Sequence, residues 1–589
     1  MPSVQRLRLA PREVKLDRRG DGSLVLSSPL PLAPHARAVG EWLVRWAEEA
    51  PDRPFLAERA EDGWRTVSYA RTLDAVRRIG QSLLERGLGP ERPVAILSDN
   101  SVDHALLALG AMHVGVPVAP VSPAYSLMST DFAKLRAVFE LLRPGLVWTA
   151  DPKRFAPALA ALGASVTPLE ELLAATAGPR VDEAFARLTP DTVAKVLLTS
   201  GSTGMPKGVL TTHRMLTVNQ TQLAQVWPFL EDEPPVLVDW LPWNHTFGGN
   251  FSFGLVLRNG GTLYIDGGKP APGLIDTTVR NLREVAPNMY FNVPRGFDLL
   301  IPHLERDAEL RRHFFSRCKF VFYAAAALSR NLWDRLTRLA QSERDGDLLL
   351  LSAWGSTETS PLATAVHWDS DRAGCIGLPV PGCELKLVPT KDKLEARLRG
   401  PNVTPGYLHQ PDLTAAAFDE EGFYRIGDAL ELADPADPAH GVAFHGRLAE
   451  DFKLASGTWV HVGELRLALI AAADSLIQDA VITGHDRDEI GALLFLNPTI
   501  AAGLSAEKIR SRIGEALRRL DAAGGGNSRR IGRALVLQTA PRLDLDEITD
   551  KGYINQRAVL ASRRPLVEAL YAGTPDAAVI RATEPDGQP

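Results

Sequence analysis

The densest set of chemistry-bearing residues is the run Thr199-Ser200-Gly201-Ser202-Thr203-Gly204-Met205-Pro206-Lys207-Gly208. Its glycines let backbone amides approach an anion, its four hydroxyls add donors, and Lys207 adds positive charge. That composition makes a cradle for phosphate, and polyphosphate is its natural ligand. The run directly follows the apolar Val196 to Leu198, which places it at a strand end. A Walker loop needs Gly immediately before its Lys, whereas here Pro206 precedes Lys207, so kinase-type and GTPase-type loops are set aside. An unoccupied Ser/Gly surface loop accounts poorly for so many donors in so few residues.

The other candidates say less on their own. Glu358, after Ser356 and Thr357, reads equally well as a helix-capping acid or as a ligand for a hard cation. Asp428 sits in a Gly-Asp turn, and Tyr323 to Leu328 is an Ala-rich run that tight core packing would explain. His245, between Trp243 and Phe247, reads by itself as a satisfied structural histidine. Cys318, Cys375 and Cys383 show no CxxC spacing. They are read as buried small hydrophobes in a reducing compartment, with no structural zinc.

The elements that must hold these residues alternate in type. Tyr69 to Arg86 and Val102 to Val114 have helical periodicity; Val94 to Leu97, Val116 to Pro120, Val196 to Thr199, Thr262 to Ile265, Phe320 to Tyr323 and Leu348 to Ser352 are short apolar runs. This is the rhythm of an α/β fold with a parallel-rich sheet and crossover helices. Beyond residue 380 the texture changes to hairpins, as in Glu384 to Val388 and Leu394 to Arg399 about a Pro389 to Lys393 turn, so an antiparallel β subdomain is expected. The Pro- and Asp-rich stretch Asp434 to His440 precedes a boundary near Gly446 and Arg447. Ala522 to Asn527 is read as a flexible loop, and the residues after about Gly573 as a loose tail.

Composition narrows the function. With 589 residues, 45% hydrophobic and 23% charged, the chain has room for more than one domain with a sizeable core. Lys plus Arg is 65 and Asp plus Glu 71, a net charge of −6 with no basic excess, so nucleic acid is not expected as a partner. The Arg- and Lys-rich start runs into Gly20 to Ser23 without an apolar stretch, so no secretory leader is expected. Ala105 to Val121 is broken by His113 and Pro117 and is shorter than the roughly 20 residues that span a bilayer. A soluble, cytoplasmic protein without membrane insertion is expected.

Taken together, the motifs resemble a known superfamily. Thr199 to Gly208 resembles the signature loop of the AMP-forming adenylating enzymes, which include acyl-CoA synthetases, luciferases and peptide-synthetase adenylation domains. Ser68 to Pro120 resembles the opening helices and strands of that superfamily. Trp354-Gly355-Ser356-Thr357-Glu358 resembles its aromatic-Gly-x-Thr-Glu motif, and Tyr424-Arg425-Ile426-Gly427-Asp428 its Tyr-Arg-Thr-Gly-Asp motif. Gly446-Arg447 falls at its domain hinge.

The resemblance implies a large N-terminal domain over 1–446, with ATP and acid sites, and a mobile α+β lid over 447–589. It implies ATP, Mg²⁺ and coenzyme A as cofactors. Thr199, Ser200, Gly201, Ser202, Thr203, Gly204 and Lys207 would bind phosphates, Thr357 would donate to the α-phosphate, and Glu358 would hold Mg²⁺. Trp354, in place of the usual Tyr, would stack on adenine beside Ala325. Asp428 and Arg447 would take the ribose. Ala324, Ala326 and Gly355 would wall an acid pocket gated by His245 and Phe247.

Two positions depart from the pattern. In the hinge segment Gly446 to Lys453, Ala449 stands where Asp or Lys is usual, which leaves Glu450 and Asp451 as candidate pivots. In Thr549-Asp550-Lys551-Gly552-Tyr553-Ile554, Tyr553 occupies the usual catalytic-lysine register and Lys551 lies two residues earlier. Residues two apart in an extended segment share a face, so Lys551 is assigned the catalytic role with Lys207, Thr357 and Glu358. The implied reaction joins a small carboxylic acid to coenzyme A through an acyl-adenylate, releasing pyrophosphate and AMP. The Trp243 to Asn250 run, Tyr290 to Pro294 and the segment from Lys551 to Arg557 resemble bacterial feruloyl-CoA synthetases, which implies a hydroxycinnamic acid. A medium-chain fatty acid, another aromatic acid and a carrier-protein thiol stay open as alternatives, as does a homodimer.

Overall fold

The computed structural model describes residues 7–200, 205–271, 273–326, 328–344, 348–370, 374–390, 392–474, 476–524, 526–549, 552, 554–573 and 578–582, and the statements below concern those residues. The chain divides into two compact units, and each is described by itself. One comprises Met1–Leu127, Phe132–Ile426 and Glu431–Phe444; the other comprises Met128–Asp131, Gly427–Leu430 and His445–Pro589.

In the first unit a five-stranded sheet runs in the order Leu146–Trp148, Val94–Ile96, Val118–Pro120, Val193–Ser200 and Pro206–Thr212. Its first four strands are parallel. Val94-Ala95-Ile96 is buried at all three positions, as a strand covered on both faces must be. The helices Tyr69–Glu85 and Val102–His113 begin where Ser68 and Ser101 cap them, each hydroxyl accepting a first-turn N–H. The apolar region Ala105 to Val121 is therefore a helix followed by a strand. Among the described residues no helix is long and apolar enough to cross a membrane.

A four-stranded sheet carries Val236–Asp239, Thr262–Ile265, Pro54–Ala60 and Gly63–Ser68 in that order. An 11-stranded sheet begins with parallel Met289–Asn292, Phe320–Tyr323 and Leu349–Gly355 and continues antiparallel from Leu362–Ala365. The hairpin expected beyond residue 380 is present as Glu384–Thr390 and Lys393–Arg399, with a tighter turn than the sequence suggests. These antiparallel strands extend the same sheet as the parallel ones. The Pro- and Asp-rich Asp434 to His440 forms the turn between two neighbouring strands, closed by the Ala433 amide donating to the Gly441 carbonyl.

In the second unit four strands, Ile477–Thr483, Ile490–Leu496, Ile531–Val536 and Val579–Arg581, form one sheet. Alternate residues face two cores: Ala480, Ile482 and Leu494 meet the helices Val462–Ala472 and Ala506–Ala522, while Val481, Leu493 and Leu535 meet Gln556–Ser562 and Arg564–Leu570. The loose tail expected after Gly573 is corrected here. Val579 and Ile580 are buried and pair antiparallel with Leu535 and Ala534, because two adjacent apolar residues complete both cores at the sheet edge. The loop expected over Ala522 to Asn527 is also shorter, since the helix runs to Ala522 and a 3₁₀ turn starts at Gly526.

Candidate active site

The phosphate run is a hairpin tip. Thr199 pairs with Lys207 and Ser200 with Pro206 across antiparallel strands, so the loop lies between two strands rather than before a helix. Gly201, Ser202, Thr203 and Gly204 lie outside the described residues, as does the side chain of Ser200. Thr199 Oγ1, at the base, is buried without a hydrogen-bond partner, an orphan donor that a phosphate oxygen would satisfy. The returning strand is held by the segment Thr404 to Leu408: the Leu210 amide donates to the Gly406 carbonyl, and the Leu408 amide to the Gly208 carbonyl.

Glu358 is tied to the same segment. It lies in the 3₁₀ turn Thr357–Thr359 after Ser356, and the Thr404 amide donates to its carbonyl at 2.8 Å. Gly355 permits this turn, since a Cβ there would sit 1.7 Å from the Pro361 carbonyl oxygen. The Glu358 side chain is buried and accepts from the Tyr407 hydroxyl at 3.0 Å. The Lys207 ammonium lies 3.4 Å from that hydroxyl and 4.5 Å from the ring centroid. The Tyr424 hydroxyl is 3.4 Å away. Burial, and then the Glu358 charge, raise both phenols far above the usual tyrosine range, so both are neutral.

One neutral phenol thus stands between a lysine and a glutamate. With it, Lys207 stays available to an anion and Glu358 to a cation. Among the described residues no cluster of three or more His, Cys, Asp or Glu could hold a metal. A lone carboxylate nevertheless suits Mg²⁺, which is commonly held by one or two carboxylates together with substrate phosphates. The residues present fit MgATP in that sense.

The acid-gate candidates form a second group in the first unit. Phe247 begins a π-helical turn, Phe247–Ser252, and His245 is buried just before it. The Phe247 ring meets Phe322 edge-on at 5.6 Å. Phe322 belongs to the strand whose end leads into Ala324, Ala325 and Ala326; Ala325 takes a positive φ of 74°, and Ala325 and Ala326 are exposed. Ala327 lies outside the described residues. Trp354 and Gly355 end the adjacent parallel strand of the same sheet. Trp243, by contrast, is core, edge-on to His104 and Phe253.

In the second unit Asp428 and Arg447 come together. Asp428 is buried, and the largely exposed Arg447 places its Nε 3.5 Å from Asp428 Oδ1. Glu450 is held above the usual carboxylate range chiefly by burial, while Asp451 accepts from the Val462 amide. Lys551 and Tyr553 lie outside the described residues. Their frame is described: Ile548 bridges to Ile554, and the Gly552 amide donates to the Thr549 carbonyl. Beneath it Glu547 and Arg563 form a buried bidentate pair. The three cysteines are buried, and burial pushes the Cys318 and Cys383 thiols up to about 12, so neither is a nucleophile at neutral pH.

Sequence reasoning missed Tyr407. Its only local signal is a Tyr inside the Pro- and Gly-punctuated Thr404-Pro405-Gly406-Tyr407, and its partner Glu358 is 49 residues away.

The chain is similar to known proteins in both sequence and fold. The chain is 29% identical over 469 residues to a 3-[(3aS,4S,7aS)-7a-methyl-1,5-dioxo-octahydro-1H-inden-4-yl]propanoyl:CoA ligase of Mycobacterium tuberculosis, covering 77% of this chain and 87% of that one. In fold it is similar to the A domain of a carboxylic acid reductase from Segniliparus rugosus, solved with AMP and a co-purified carboxylic acid (TM-score 0.69, 20% identity, 91% of this chain and 94% of that one). It is likewise similar to ATP-bound MatB from Rhodopseudomonas palustris (TM-score 0.66, 21% identity, 90% and 99%). The AMP-binding enzyme C-terminal domain matches residues 455–575. The AMP-binding enzyme model itself matches residues 43–408, more than half of the chain, and the protein therefore belongs to the AMP-binding enzyme family.

Proposed function

We propose that the protein is an acid:CoA ligase that activates a hydroxycinnamic acid such as ferulic acid in the cytoplasm. The observation that carries this reading is the Lys207–Tyr407–Glu358 constellation at the base of the phosphate hairpin, which keeps an anion-binding and a cation-binding group apart yet adjacent. A substrate carboxylate oxygen attacks the α-phosphorus of ATP, the bond to the bridging oxygen breaks, and pyrophosphate leaves. A thiol then attacks the acyl carbon, and AMP departs. Both steps gather negative charge, and fixed positive groups there contribute most to rate.

Each residue has a part in this scheme. Ser200 to Gly204 with Thr199 and Lys207 hold the phosphates. Thr357 donates to the α-phosphate, and Lys551 approaches it during adenylation. Glu358 would hold Mg²⁺, which would supply positive charge against the phosphates. Trp354 and Ala325 flank adenine, and Asp428 and Arg447 hold the ribose, a reading that their close approach supports. Ala324, Ala326, Gly355, His245 and Phe247 line the acid pocket. Residues from about 447 onward act as the lid.

For the acid, support comes from the small Ala side chains that follow the strand bearing Phe322, whose ring meets Phe247. A second reading, transfer to a carrier-protein thiol, is favoured by the fold similarity to a carboxylic acid reductase A-PCP didomain. The test is a panel of hydroxycinnamic, benzoic and straight-chain acids scored for pyrophosphate release with and without coenzyme A. Ferulate and p-coumarate should give the highest kcat/KM, with coenzyme A needed for AMP turnover. A higher kcat/KM for octanoate would remove the aromatic assignment and leave the ligase, and ADP formation would remove both.

A further inference from the structure

The strand leading into the phosphate hairpin carries a buried lysine that the reaction scheme does not use. Lys195 pairs with Thr211 on one side and Val118 on the other, and its residue is 7% exposed. Among the described residues no carboxylate lies within ion-pair distance of it. Its Nζ donates instead to the Gly249 carbonyl at 2.7 Å and to Asn250 Oδ1 at 3.1 Å. An uncompensated buried ammonium is costly, and a methionine of similar length would fill the same space without that cost.

Its bonds fall on one element, the π-helical turn Phe247–Ser252. Widening a helix to i→i+5 spacing alters its carbonyl pattern, and here three successive carbonyls take side-chain donors. Gly249 receives Lys195, while Asn250 and Phe251 receive Gln220 Nε2 at 3.0 and 3.1 Å. The turn also sits hard against the chain before it: a Cβ on Gly248 would lie 2.3 Å from the Leu241 carbonyl, and one on Gly249 equally close to that of Trp243. Asn250 Nδ2 donates to Thr246 Oγ1, and the Gly249 amide donates to the His245 carbonyl at 2.7 Å. Lys195 therefore grips the residues that present His245 and Phe247.

We propose that Lys195 is a positioning residue for the carboxylic acid, its ammonium holding the π-turn so that His245 and Phe247 keep the shape of the acid gate. This rests on the acid site proposed above. Burial lowers the Lys195 ammonium to about 8, so the grip weakens as pH rises through that value. Among the described residues, the ionisable groups that feel its charge from neighbouring elements are His104 and His213; burial pushes each down to about 4, so both are neutral in that range.

The experiment measures KM for the best acid of the panel, and separately for ATP, from pH 6.5 to 9.5. In the wild type the acid KM should rise above about pH 8 while the ATP KM stays within twofold. Lys195→Met should raise the acid KM about tenfold at pH 7, leave the ATP KM within twofold and lose the alkaline rise. Asn250→Asp places a carboxylate beside the ammonium and should move the rise upward by a pH unit or more. An unchanged acid KM and pH profile in folded Lys195→Met, or equal losses for acid and ATP, overturns the proposal. Should that variant not fold, an Asn250→Asp profile that superimposes on the wild type overturns it instead. Phe247→Ala separates the two ideas. Altered acid selectivity there beside an unaffected Lys195→Met refutes only this proposal, and unaltered selectivity there refutes the acid-site reading as well.

Discussion

Glu547→Gln should weaken the C-terminal unit by about 3.5 kcal/mol at neutral pH, and the figure follows from the carboxylate's surroundings. Burial alone would raise this carboxyl. Hydrogen bonds from Arg563, Ser562 and the Arg542 amide outweigh burial and hold it down to about 2. Measured against an unfolded value of about 4.5, roughly 2.5 units at about 1.4 kcal/mol each give the estimate. Because the folded pKa is depressed, this stabilisation is complete above about pH 4.5 and is lost as pH falls towards 2. Gln keeps the shape but leaves the Arg563 guanidinium, with its side chain 8% exposed, without a counter-charge. Hydrogen-exchange protection of peptides across Ile477–Thr483 and Ile490–Leu496 should drop by about 300-fold at pH 7, and the gap to wild type should close as pH falls from 4.5 to 2. Because Glu547 anchors the Ile548 and Ile554 frame around Lys551, adenylation should slow in parallel. Protection within threefold of wild type at pH 7, or a gap that does not narrow in acid, would refute the reasoning.

Tyr407→Phe removes the hydroxyl between Lys207 and Glu358 while keeping the ring under the lysine; losing a hydrogen bond to a charged group costs about 1.5–3 kcal/mol, so pyrophosphate release should fall about 10- to 10²-fold with unfolding midpoints little changed. Wild-type release by that variant would remove Tyr407 from the site. Lys551→Ala should slow adenylate formation by roughly 10² to 10³, the usual cost of losing a donor to a transition state, while thioester formation from supplied acyl-adenylate is nearly unaffected. Tyr553→Phe should adenylate normally. The reverse pattern would show that the two-residue displacement of the lysine is wrong.

The sequence by itself determined whatever depends on neighbours along the chain. The half-buried strand Thr262–Ile265, the buried strand Phe320–Tyr323 and the Ser-capped helices are local patterns of apolar spacing and capping chemistry, and they are found where those patterns lie. The Gly-, Ser- and Thr-rich run from Thr199 to Gly208 stands out in the sequence because its residues are contiguous, whereas its place between two antiparallel strands is a finding of the structure. Val579 to Arg581 was misread as tail because three residues carry no periodicity, and only the open edge of Ile531–Val536 makes them a strand. Tertiary structure alone decided the rest. Tyr407 reaches Glu358 across 49 residues, Lys195 reaches Gly249 across 54, and Arg447 meets Asp428 only where the chain returns. No local spacing encodes such contacts. A lone Tyr or Lys has no period, and whether it is a solvated side chain or the hydrogen-bonded centre of a site depends on which segments fold onto it and exclude water.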